Sequence, residues 1–211
     1  MLPFQPVAGI LLAGGRSSRM GGGDKCLRQL GGRPILARIV ERLRPQVSIM
    51  VINANGEPSR FAAFDLPIAA DSVTGFAGPL AGVHAGLEWV RANCPGIPHA
   101  VTLATDTPFF PLDLVRRFLS EQGDHPKLLV ARSNVGTHPV VGLWPVDLAP
   151  ALAASLKAGE RKAGKWVAEH GAVEVFFPDI EIGGVTIDPF FNINRPGDLS
   201  HADDILREQT R

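Results

Sequence analysis

The sequence predicts an α/β fold built on a mostly parallel sheet with an antiparallel hairpin. Three observations predict it. Short apolar runs at 7–12, 47–52 and 100–104 have the composition of strands buried on both faces, as the strands of a parallel sheet are. Stretches with helical apolar spacing separate these runs, and strand, helix, strand in quick succession implies parallel neighbours joined by crossovers. Further on, strand-like stretches at 127–131 and 138–143 flank the turn Ser133-Asn134-Val135-Gly136, a spacing that suits a hairpin.

Taken in order, residues 7–12 form the first strand and run straight into a glycine-rich stretch, Gly14-Gly15-Arg16-Ser17-Ser18-Arg19-Met20-Gly21-Gly22-Gly23-Asp24-Lys25. Pro34 opens a helix through Leu43, with Arg42 and Arg44 near its end, where the helix dipole favours cations. The second strand, 47–52, is stopped by Asn53-Ala54-Asn55-Gly56, and a short helix is expected over 60–64. A weak third strand at 66–69 leads to Asp71 and a loop carrying Gly75, Gly78 and Gly82. Pro79 or Leu80 begins a helix running to about Arg91. The strand at 100–104 ends at Thr105-Asp106-Thr107-Pro108, and Pro111 precedes a helical pattern over 112–119. After the hairpin, Asp147 is positioned to cap a helix through Leu156, a short helix is expected over 164–170 and a strand over 173–177. Phe190-Phe191-Asn192-Ile193-Asn194 then leads through a loop to a terminal helix.

The 211 residues suit a single domain, 1–211, with about 127–190 as a possible subregion over the sheet. A formal net charge of zero gives no global field directed at nucleic acid or an anionic membrane. Two cysteines, Cys26 and Cys94, supply neither a disulfide framework nor a metal cluster. With no secretory signal and no apolar run of bilayer length, the expected location is the cytoplasm.

The chemistry concentrates where ligands bind in open α/β sheets, beyond the carboxyl ends of the strands. The glycine-rich loop with Arg16, Arg19 and Lys25 reads as a polyphosphate cradle, because close-approaching backbone N–H groups and cations together bind anions. Neither G-x-x-x-x-G-K-[ST] nor G-x-G-x-x-G fits it, since Lys25 precedes Cys26. Asp106 follows a buried strand directly. Mg²⁺ is usually held by one or two carboxylates together with substrate phosphates, so Asp106 beside a phosphate loop is the candidate metal ligand. Asn53 and Asp71 reach the same edge and are candidates for base or ribose contacts; an ionised Asp only accepts, which suits the donor edge of guanine. Plain turn chemistry remains the alternative for both. His138 reads as a satisfied loop residue, Trp89, Trp144 and Trp166 as core, and Lys157, Arg161, Lys162 and Lys165 either as a solvated face or as a receptor for a second phosphorylated substrate.

The pattern L-A-G-G-x-S-x-R-M-G followed by D-K resembles the signature of nucleotidyltransferases that activate sugar phosphates and related metabolites. With Val51-Ile52-Asn53-Ala54-Asn55, Gly78-Pro79-Leu80-Ala81-Gly82, Asp106-Thr107-Pro108, His138-Pro139, Ala158-Gly159-Glu160-Arg161 and Phe191-Asn192-Ile193-Asn194 in order, the chain resembles the molybdenum cofactor guanylyltransferases of the MobA type over nearly its whole length. The resemblance implies a Rossmann-like nucleotidyltransferase fold and transfer of GMP from GTP to molybdopterin cofactor, with pyrophosphate released. It places GTP contacts on Leu12, Ala13, Gly14, Lys25, Asn53, Asp71 and Asp106, Mg²⁺ on Asp106, and the acceptor side at Asn192 and Asn194. Arg19, Lys25 and Asp106 are then the expected catalytic groups, in a reaction resting on positioning and charge neutralisation. Proteins that deliver or receive the cofactor are possible partners. Arg195 departs from the family's pattern, which usually has threonine there. A cytidylyltransferase on the same cofactor, a sugar- or alditol-phosphate transferase, a nucleotide-binding regulator without turnover and a cofactor carrier are the rival readings.

Overall fold

Runs too apolar to face water on either side become the central strands. The computed structural model describes residues 5–14, 24–71, 78–123 and 125–209. In chain order, β1 (Val7–Leu12) is followed, beyond the glycine-rich stretch, by a 3₁₀ turn over Lys25–Leu27 and a small hairpin of β2 (Gln29–Leu30) and β3 (Arg33–Pro34). Next come α1 (Ile35–Leu43), β4 (Ile49–Asn53), a 3₁₀ segment over Pro58–Phe64 and β5 (Ile68–Ala69). The chain continues with α2 (Pro79–Asn93), β6 (His99–Ala104), α3 (Leu114–Glu121), β7 (Leu129–Ser133) and β8 (Gly136–Pro145). It ends with α4 (Ala149–Lys157), α5 (Ala163–Glu169), β9 (Val173–Phe176), the hairpin of β10 (Ile180–Ile182) and β11 (Val185–Ile187), and α6 (Pro196–Gln209).

Seven strands form one sheet in the order β5-β4-β1-β6-β8-β7-β9. β5, β4, β1 and β6 are parallel, β8 runs antiparallel to both β6 and β7, and β9 is parallel to β7. The mostly parallel sheet and the antiparallel hairpin are therefore both present. Side chains alternate across β1, with Val7 and Leu11 entering one core and Ala8 and Ile10 the other. α1, α3 and α6 cover the first face through residues such as Leu36, Phe118 and Ile205; α2, α4 and α5 cover the second through Leu87, Leu152 and Trp166. Trp144 and Trp166 stack at 5.5 Å in that second core, and buried Trp144 Nε1 donates to Thr102 Oγ1.

Several local expectations shift. Asn53 is the last residue of β4 and not its stop signal. Asp147 does not cap α4: it lies in a 3₁₀ turn over Val146–Leu148, and the residue before α4 is Leu148, without a side-chain cap. Pro34 pairs in β3 and α1 begins one residue later. The expected loop over 71–82 includes Gly75, which lies outside the described residues. No helix among the described residues is long and apolar enough to cross a membrane.

Register sets the geometry of the functional edge. Leu12 lies opposite Asn53 on one side and Ala104 on the other, so β4, β1 and β6 finish level. The Gly14 loop, Asn53 and the Asp106 turn consequently leave the same edge of the sheet.

Candidate active site

Leu12 and Ala13 are held into this edge by main-chain bonds. Ala13 N donates to Asn53 O (2.8 Å), and the Thr105 hydroxyl donates to Leu12 O (3.0 Å). Gly14 lies beside Asn53: a Cβ added there would sit 3.7 Å from Asn53 Oδ1. Arg16 and Arg19, with the rest of 15–23, fall outside the described residues.

Lys25 brings together three residues distant from it in sequence. Its ammonium donates to Asp106 Oδ2 (2.6 Å) and Asn194 Oδ1 (2.5 Å), with Asn192 Oδ1 at 3.5 Å. The asparagines arrive because Ile193 N donates to Asp106 O (2.9 Å), which pins the 190s against the Asp106 turn. That turn is itself braced by the Thr107 hydroxyl donating to Ala104 O. Asp106 Oδ1 is buried and has no hydrogen-bond partner. Such an oxygen seeks a cation or a donor. A hard divalent ion taking oxygen ligands fits it, and since no group of three or more His, Cys, Asp or Glu converges among the described residues, the remaining ligands would be phosphates, waters and carboxamide oxygens.

Asn53 and Asp71, the residues the sequence offers for base or ribose contacts, meet at this edge. Asn53 is buried, and its Nδ2 donates to both Ala69 O (3.0 Å) and Asp71 Oδ1 (2.9 Å). Its Oδ1 faces the first turn of α2, where a Cβ on Gly82 would lie 2.2 Å away. Only glycine lets α2 approach this closely. Asp71 is also clasped by Asn55: Asn55 Nδ2 donates to Asp71 Oδ2 (2.7 Å) and Asp71 N returns a bond to Asn55 Oδ1 (2.9 Å). A carboxylate has about four lone-pair positions, so two remain for a ligand. Sequence reasoning treated Asn55 as part of a turn; the repeated Asn at 53 and 55, level with the strand end, was the available signal.

Next to Lys25, the Cys26 thiol is pushed up to about 11, first by burial and then by the Asp24 carboxylate, which favours the protonated thiol near neutral pH. His138 is satisfied, with Nε2 2.8 Å from Ser133 Oγ and its ring on Phe190. In the basic cluster, Lys165 pairs with Glu160 (2.7 Å), and the Arg161 side chain donates to Leu156 O and Glu160 O. The Lys165 bond, followed by the backbone N–H groups of residues 162 and 161, drives the Glu160 carboxyl down to about 2, so this loop is braced internally.

A doubly covered α/β sheet, a glycine-rich sequence after its first strand, and a lysine–aspartate pair at the same edge define a protein of the nucleotidyltransferase class. The chain belongs to the MobA-like NTP transferase family, whose model matches residues 9–174. It is 47% identical over 206 residues, covering 97% of this chain and 98% of the other, to a molybdenum cofactor guanylyltransferase of Mesorhizobium japonicum. It is 44% identical over 207 residues to one of a Bradyrhizobium species, covering 97% and 95%. Among solved structures, molybdopterin-guanine dinucleotide biosynthesis protein A of Archaeoglobus fulgidus superimposes with a TM-score of 0.73 over 96% of this chain and 100% of that one, at 20% identity, a likeness of fold.

Proposed function

We propose that this protein transfers GMP from GTP to the terminal phosphate of molybdopterin cofactor, forming the guanine dinucleotide and pyrophosphate. The observation that carries the chemistry is the meeting of Lys25, Asp106, Asn192 and Asn194 at the edge where β1 and β6 end. The names borne by relatives that match over nearly the full length of both chains supply the two substrates.

An oxygen of the acceptor phosphate attacks the α-phosphorus of GTP; the bond to the β-phosphate bridging oxygen breaks, and its electron pair leaves with pyrophosphate. A phosphate monoester is already ionised near neutral pH, so no strong general base is needed. The Gly14 loop receives the triphosphate through its N–H groups. Lys25 exchanges its bond to Asp106 for the phosphates, neutralising charge on the leaving pyrophosphate, and Arg19 assists. Asp71, held by Asn53 and Asn55, accepts from the guanine edge. Asn192 and Asn194 orient the acceptor phosphate toward Asp106. Asp106 would hold Mg²⁺, which would supply Lewis-acid neutralisation of phosphate charge.

The test is mass spectrometry of the pterin product after incubation with Mg²⁺, molybdenum-loaded cofactor and GTP or CTP. A product heavier by one GMP residue is expected. A CMP adduct would move the assignment to cytidylyl transfer, and no adduct from folded protein with active cofactor would overturn it.

A further inference from the structure

Asp24 follows the glycine-rich stretch in which the sequence reads a polyphosphate site, where an unpaired negative charge would repel the ligand. It is not unpaired. Arg60, from the 3₁₀ segment after β4, places Nε 2.5 Å from Asp24 Oδ2, an ion pair in which the buried Nε–H makes no aligned hydrogen bond. The other arms of the same guanidinium are spent on the turn between β4 and that segment: Nη2 donates to Asn55 O (2.5 Å) and Nη1 donates to Glu57 O. Gly56, with φ of +85°, lets the turn curl so that both carbonyls face one fork. The guanidinium also lies over the Phe61 ring, 4.6 Å from its centroid. Both side chains of the ion pair are only about a quarter exposed, at 25% and 24%, so the pair is less screened than a surface one.

The contacts beyond each end give this fork its meaning. Asn55, held by Arg60 through its carbonyl, holds Asp71 through its side chain. Asp24 adjoins Lys25, which contacts Asp106. Arg60 thus spans the two halves of the nucleotide site, and nothing in its sequence surroundings marks it out.

Building on the GTP-binding reading above, we propose that Arg60 is a positioning residue that pins the exit of the phosphate cradle to the turn carrying Asn55 and cancels the Asp24 charge there. Both effects act on binding of the triphosphate more than on the chemical step. Lysine cannot replace it, since an ammonium lacks the planar fork that donates to two carbonyls of one turn while its charge faces a carboxylate.

The test is calorimetric titration of Mg·GTP into the full chain, with thermal melts as a folding control, for wild type, Arg60→Gln, Arg60→Lys and Arg60→Gln combined with Asp24→Asn. Losing charge-assisted bonds of this kind is expected to weaken binding about tenfold or more in Arg60→Gln. The loss should appear in KM with kcat little changed, and Asp24→Asn should recover most of it. Should Arg60→Gln lose its cooperative melt, Arg60→Lys carries the test, with severalfold weaker binding expected at an unchanged melt. Wild-type affinity in the folded Arg60 variants, or a double variant no better than Arg60→Gln, would overturn the proposal alone. Wild-type protein that binds no Mg·GTP would instead overturn the guanylyl reading, and this inference with it.

Discussion

Asp106→Asn separates catalysis from stability at this site. Lys25 Nζ and Asp106 Oδ2 lie 2.6 Å apart, with side chains 15% and 20% exposed. At an effective dielectric constant of about 20, two unit charges at that distance attract by roughly 6 kcal/mol. Desolvation of both groups offsets most of this. The carboxamide still accepts from Lys25, and the asparagine oxygens remain around the ammonium, so net destabilisation is expected to stay within about 2 kcal/mol. For a chain of this size that is a melting shift under about 8 °C. Turnover should respond differently, because the variant loses the charge that would hold a divalent cation against the phosphates. A fall in kcat of about 10²–10⁴ is expected. The assay is pyrophosphate release at saturating Mg²⁺, GTP and molybdopterin cofactor, beside a thermal melt. A variant keeping more than about a tenth of wild-type kcat would refute the assigned role of Asp106.

Other perturbations test neighbouring parts of the account. On Gly86 of α2, a Cβ would lie 2.4 Å from Ile10 Cγ2, so Gly86→Ala should cost about 1–3 kcal/mol of stability with the KM for GTP unchanged. Gly82→Ala should also raise that KM, because its Cβ would displace Asn53 and with it Asp71; equal KM values in the two variants would contradict this. Arg195 is the residue before α6 whose carbonyl accepts the first helical bonds, while Asp198 Oδ2 accepts from the N–H groups of residues 194 and 195. A threonine there would add a side-chain cap, so Arg195→Thr should stabilise the fold by about 0.5–1 kcal/mol in denaturant titration. Burial lowers the pKa of His84, His99 and His138, and both ring nitrogens of His99 are buried without partners. The unfolded chain therefore takes up protons first, and stability should fall as pH drops below about 6.5. His99→Phe should flatten that loss between about pH 7 and 5.5; an unchanged slope in thermal melts would contradict it.

Legibility in the sequence followed burial and sequence distance. β1, β4 and β6 were readable because strands covered on both faces must be almost wholly apolar. The β7–β8 hairpin was readable from two runs about a short polar turn. Ile180-Glu181-Ile182-Gly183-Gly184-Val185-Thr186-Ile187 alternates about a Gly-Gly pair whose φ values are positive, a signal of the β10–β11 hairpin that the sequence reading did not use. Its three-residue strands are easily passed over as loop. The small hairpin of β2 and β3 is shorter still and carries no periodicity. At the site, Asp71, Asn53 and Asp106 were legible as polar residues closing apolar strands. Which groups meet was not: Lys25 finds Asn194 across 169 positions, and the family resemblance placed one on the GTP side and the other on the acceptor side without joining them. Arg60 and Asn55 escaped for a related reason, since a guanidinium fork is a product of backbone carbonyls brought close by a turn.

The central claim is guanylyl transfer to molybdopterin cofactor, and pyrophosphate release tests it most directly. The measurement uses Mg²⁺ with GTP, CTP, ATP or UTP in turn, with and without molybdenum-loaded cofactor. Release with GTP alone, and only when the cofactor is present, is the predicted result. Release with CTP in place of GTP would keep the fold and the Asp106 site while contradicting the guanine assignment. No release with any nucleotide, from folded protein and active cofactor, would contradict the account at its centre.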